Sequence, residues 1–169
     1  MTRHYTYGEV FNSLLRYLGD VATRIHALDP TLPKLSVVYL DSITDFAKLP
    51  VGDFIFLSAW TLERDGTKYG DDHNMLLGFG VTNDVNGTKL EGLYMNQLMS
   101  EIANRDSKQH TRIGIYSEIP TGGVEQIGVL VFSEDFYTNE PRVDDSRTFR
   151  SVSVTMFSPQ RLKIVDSTN

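Results

Sequence analysis

The chain has 169 residues, 40% of them hydrophobic and 22% charged, the size and balance of one globular domain with a sizeable core. It contains no cysteine, which excludes disulfide bridges, cysteine zinc sites, iron-sulfur clusters and thiol catalysis, and fits a reducing compartment. A formal net charge of -6 lacks the basic stripe that nucleic-acid wrapping needs, and no apolar run approaches the roughly 18 residues of a membrane span. No apolar run follows Arg3, so the expectation is a protein neither exported by a cleavable signal nor anchored.

In chain order, Val10, Phe11, Leu14, Leu15, Leu18, Val21, Ala22, Ile25 and Leu28 recur at three- and four-residue steps, which predicts an amphipathic helix over 6–28. Thr6 and Glu9 have capping-box spacing at its start, and Pro30 and Pro33 forbid continuation. Residues 35–40 read as a strand, followed by a loop over 41–52. Residues 53–82 read as one long projecting β-hairpin turning at Asp65-Gly66. Counting outward from that turn pairs Glu63 with Lys68, Leu62 with Tyr69, Phe56 with Met75 and Phe54 with Leu77. The same count sets Trp60 against Asp71 and Ala59 against Asp72, a mismatch that predicts a bulge. Gly78 and Gly80 share one strand face and leave room for a close neighbour.

Thr88 and Glu91 make a second capping box before Leu90, Leu93, Tyr94, Leu98 and Ile102, predicting a helix over 89–103. Residues 111–116 and 124–132 read as a hairpin across a Pro120-Thr121-Gly122-Gly123 turn, residues 133–147 as an acidic exposed loop, and 148–157 as a closing strand. The run from Gly128 to Phe132 is apolar on both faces, as in a central strand or an edge covered by another subunit. Residues 161–165 alternate apolar and polar, and 166–169 are expected to be flexible. The fold class expected is α+β: a single domain over 1–169 with two layers, a mixed, mostly antiparallel sheet covered by two helices. Its expected core comprises Val10, Phe11, Leu14, Leu18, Phe56, Leu77, Phe79, Leu93, Leu98, Val129, Val131, Val152 and Val154.

The densest set of ligand-type side chains is Asp71-Asp72-His73, with Asp65 nearby; a divalent metal there, or a small metal-dependent enzyme using it, requires a backbone bulge, because alternate strand residues point to opposite faces. His4, His26 and His110 form no zinc motif with His73, Gly78-Phe79-Gly80 lacks the third glycine of a dinucleotide loop, and no serine sits in a nucleophile elbow. Glu134, Asp135, Glu140, Asp144 and Asp145 read as a solvated face. The expectation is therefore no catalytic site, no cofactor and no metal. The hairpin tip, with Trp60, Leu62, Glu63, Lys68, Tyr69, Asp71 and Asp72, is expected to meet a partner, because an isolated two-stranded arm is marginally stable.

Taken together, the helix from Val10 to Leu28, the strand Ser36-Val37-Val38-Tyr39-Leu40, the arm ending in Met75-Leu76-Leu77-Gly78-Phe79-Gly80-Val81, the helix from Leu90 to Ala103, the strand Gly128-Val129-Leu130-Val131-Phe132, the acidic loop with Tyr137 and the last strand from Phe149 to Phe157 resemble the tail terminator proteins of long-tailed bacteriophages. The resemblance rests on the order of parts across nearly the whole chain. It implies a hexameric ring that binds the last ring of tail tube subunits, stops tube growth and offers its other face to the head connector, with the sheath as a further neighbour in a contractile tail. It also implies a place at the head-proximal end of the virion tail, assembly in the host cytoplasm, and DNA that only passes through the lumen. Neighbouring neck or tail completion, tail tube and baseplate subunits are the alternatives within the same setting.

Overall fold

The fold is given by a computed structural model. It describes residues 5–31, 34–40, 52–63, 70–82, 112–119, 122–132, 142–143 and 147–159. Helix α1, Tyr7–Leu28, begins where the capping box predicts: Thr6 Oγ1 accepts from the Glu9 amide, and the Glu9 carboxylate accepts from the Thr6 amide. Its buried stripe comprises Val10, Ser13, Leu14, Tyr17, Leu18, Val21, Ala22 and Ile25.

Seven strands follow: β1 (Ser36–Leu40), β2 (Phe54–Glu63), β3 (Asp71–Thr82), β4 (Arg112–Glu118), β5 (Val124–Phe132), β6 (Arg142–Val143) and β7 (Arg147–Ser158). Six of them lie in the order β1-β2-β3-β7-β5-β4, and the short β6 pairs with β7. Among the described strands only β1 and β2 run parallel, so the sheet is mixed. Helix α1 touches both end strands of that order, β1 and β4, as well as β2. A flat sheet of six strands is about 24 Å across and a helix only about 10–12 Å, so the sheet must curl around α1 to bring both ends against it. Ile55, Leu57, Leu77, Phe79, Ile113, Leu130, Phe132, Val152, Val154 and Met156 fill the concave side with the helix stripe.

The convex side carries a second, smaller cluster of Leu40, Phe54, Phe56 and Phe149 near the β1 end. This is why residues 54–58 of β2 are buried on both faces. The expected second helix over 89–103, with Leu93 and Leu98, lies outside the described residues. The acidic segment over 133–147 is not purely loop, since it contains β6.

The register of β2 on β3 differs from the one counted out from Asp65-Gly66. Phe54 faces Gly80, Phe56 faces Gly78, Leu62 faces His73 and Glu63 faces Asp72. The physical reason is visible at Gly80: a Cβ there would lie 2.3 Å from the tip of the Phe54 ring, which occupies the space the glycine leaves. The expected bulge does occur, between Ser58 and Thr61, where Ala59 takes φ 53. The arm does not project as expected over its described length, because β7 borders β3 all the way from Asp71 to Thr82. Residues 64–69, with Lys68 and Tyr69, lie outside the described residues.

Among the expected core residues, Val10, Leu14, Leu18, Phe56, Leu77, Phe79, Val152 and Val154 are buried. Phe11, Val129 and Val131 are half-buried. Strand β5 is central, between β7 and β4, and Leu130 and Phe132 take the inward positions that Val129 and Val131 were expected to hold.

Two glycine substitutions should move stability in opposite directions. Gly80→Ala forces a methyl into the fully buried Phe54 ring, itself hemmed in by Phe56 and Phe149, and is expected to cost about 1–3 kcal/mol. Gly19→Ala, within α1 with nothing inside 4 Å of the added Cβ, is expected to gain about 0.4–1 kcal/mol. Urea unfolding of both variants checks the pair.

Candidate functional site

Strand alternation divides the Asp71-Asp72-His73 run. Asp71 and His73 fall in phase with Met75 and Leu77 on the concave side, each 1% exposed, whereas Asp72 is half-buried on the convex side opposite Glu63. The backbone bulge that could have brought all three together is on β2, not on β3. Among the described residues no group of three or more histidine, cysteine, aspartate or glutamate side chains is placed to hold a metal ion.

The bulge acts instead on Trp60. Its indole stacks on Tyr7 at 4.3 Å between centroids, lies beside Phe11 at 6.1 Å, and donates from Nε1 to His73 Nδ1 over 3.1 Å. Accepting at Nδ1 assigns the imidazole proton to Nε2 in this arrangement. Trp60 was expected to stand in water on an isolated tip; it is half-buried against the start of α1. Leu62 also packs against the main core, and Glu63 is exposed. Of the described residues expected to form a contact surface, then, Asp71 faces inward, Trp60 and Leu62 lean on the core, and Glu63 and Asp72 lie on the convex side.

A different convex surface carries the exposed apolar groups. Phe157 of β7 lies opposite Val129 of β5, and Val129 lies opposite Gly114 of β4. The Tyr116 ring bends back over Gly114, within 3.0 Å of where a Cβ would stand. The result is an apolar row across three strands, with Tyr116 48% and Phe157 43% exposed, and with Val124, 58% exposed, at the end of β5. In the next row the Thr155 hydroxyl donates to Asn74 Oδ1 over 2.7 Å, which ties β7 to β3 beside the row. Aromatic side chains on a strand face that is otherwise polar mark an association surface more often than a reaction centre.

Sequence reasoning missed this row because its members stand far apart in the chain and meet only through the order β7-β5-β4. One signal was available: Phe157 falls in phase with Ser151, Ser153 and Thr155, so an aromatic occupies the wet face of a strand whose other face is core. Compared with known proteins, the chain matches no family model and no curated protein.

The Trp60–His73 bond is open to direct test, since Trp60 is the only tryptophan in the chain and its fluorescence follows unfolding. His73→Leu leaves the indole N–H without its acceptor and is expected to cost about 1–3 kcal/mol. His73→Asn, which can offer an acceptor oxygen, should lose less. Repeating His73→Leu in a Trp60→Phe background, followed by circular dichroism, should cost less still; equal losses in both backgrounds would show that the bond contributes nothing.

Proposed function

We propose that this chain is a structural protein of a bacteriophage tail, a tail terminator whose copies close into a hexameric ring. The ring caps the tail tube, stops its polymerisation, and presents its other face to the head connector. DNA only passes through its lumen, and the acidic balance of the chain opposes any grip on phosphate. Its place is the head-proximal end of the virion tail, after assembly in the host cytoplasm.

The observation that carries this reading is the exposed row of Tyr116, Val129 and Phe157 on the convex face. It offers apolar area to another protein surface, and it lies at the β4 end of a sheet whose opposite end is the unlike strand β1. A contact between unlike surfaces is heterologous, and it makes a ring when the rotation between copies closes. Further support comes from the order of parts: a capped amphipathic first helix, a short strand, two long antiparallel strands and a long last strand, in the sequence order on which the resemblance rests.

The test is the mass and shape of the purified full chain, by light scattering and negative-stain electron microscopy. Closed rings of constant subunit number are expected. Phe157→Asp combined with Tyr116→Asp should reduce the mass toward that of one chain while circular dichroism stays unchanged, because both side chains are well exposed. Single chains at every concentration, or open-ended tubes, would defeat the terminator reading.

A further inference from the structure

Among the described residues strand β4 ends the sheet order on its side, and α1 runs close enough to leave a groove along it. Two neighbouring cavities of about 320 and 300 Å³ open there, and both are lined by Ser13 and Arg16 of the helix. Glu9 and Glu118 border the first; Asp20, Ile115, Tyr116 and Val124 border the second. Arg16 reaches across to Glu118. An end strand beside an open groove is the receptor geometry of strand addition, in which backbone groups supply affinity and alternate side chains supply selectivity.

We propose that this groove receives residues 161–165 of a second copy of the chain as a strand added to β4. The inference rests on the self-association in the proposed function and names its contact. Charge favours this occupant: Glu9, Asp20 and Glu118 face the single guanidinium of Arg16, while the stretch Arg161-Leu162-Lys163-Ile164-Val165 carries two cations and no acid. Its alternation suits the walls, because Leu162 and Ile164 share one side of an extended strand and match the exposed Tyr116 and Val124, while Arg161 and Lys163 share the other.

Reach favours a second copy over the chain's own tail. Strand β7 is separated from the position beyond β4 by β5 and β4 themselves, three spacings of about 4.8 Å each. Crossing that distance takes roughly four extended residues at about 3.3 Å each, which uses up 160–163 before the apolar alternation could pair. A neighbouring copy can present the whole segment without the crossing.

The experiment uses full chains only. One variant carries Arg161→Glu with Lys163→Glu, a second carries Asp20→Lys with Glu118→Lys, and a third carries all four. The two groove positions are exposed, so circular dichroism should match the parent in every case. Light scattering is expected to show about tenfold weaker association for each double variant, recovery in the fourfold variant, and dimers growing into alternating assemblies when the two double variants are mixed, since the native tail then meets the native groove and the acidic tail meets the basic one. Double variants that assemble like the parent would overturn the proposal, as would losses that neither mixing nor charge exchange restores. Recovery in the fourfold variant without dimers on mixing would place the tail in its own groove and overturn the second-copy occupant. Parent rings that persist in both double variants would remove this contact and leave the terminator reading intact, whereas a parent that pairs through this contact without ever forming rings would do the reverse.

Discussion

Among the described residues a single helix, α1, packs on the concave side of the sheet, and most of the described architecture answers to that arrangement. The stripe of α1 from Val10 to Ile25 is apolar on one side only, and a flat sheet would meet it along two or three strands and leave the others bare. Curling lets β1 and β4 both reach the helix. The curl also divides the convex face. Near β1 it is closed by the rings of Phe54, Phe56 and Phe149, while toward β4 it stays open and displays Tyr116 and Phe157. The same helix that closes the core thus bounds the groove on the flank of β4, so core and contact surfaces share one scaffold.

The bulge at Ala59 shows how a single irregular residue redistributes side chains. A regular β2 would keep strict alternation through Ser58, Ala59 and Trp60; the positive φ at Ala59 breaks it and re-aims the indole at Tyr7, Phe11 and His73. A non-glycine residue in the left-handed region carries strain, and here the stacking and the indole hydrogen bond on the far side of the bulge oppose it. His73, buried on the concave side, thereby serves as an acceptor within the packing between helix and sheet.

The sequence made α1 legible down to its cap, because three- and four-residue periodicity and a Thr-x-x-Glu box are local signals that tertiary packing has no reason to override. The strands of the second half were legible for the same reason. The pairing of β2 with β3 was not. A register counted outward from Asp65-Gly66 assumes that the turn controls it, whereas Phe54 and Phe56 settle opposite Gly80 and Gly78, and the Phe54 ring takes the space that a Cβ at Gly80 would need. Strand order was equally hidden: the mismatch around Trp60 signalled a bulge, yet nothing local to Tyr116, Val129 or Phe157 could show that they share a surface.

The place of β7 in the sheet has a consequence for how the chain is made. Among the described strands it is the last in chain order, yet it lies between β3 and β5 and also takes up β6. Until it emerges during synthesis, no described strand pairing joins β1-β2-β3 to β4-β5, and among the described elements the two sets meet through their packing on α1. The sheet therefore closes through long-range pairing at the end, which slows the final step and leaves the nascent strands open to pairing with the wrong chain in the meantime. Abundant synthesis would meet that hazard in full, and chaperone capacity during translation would then govern the yield of folded chains.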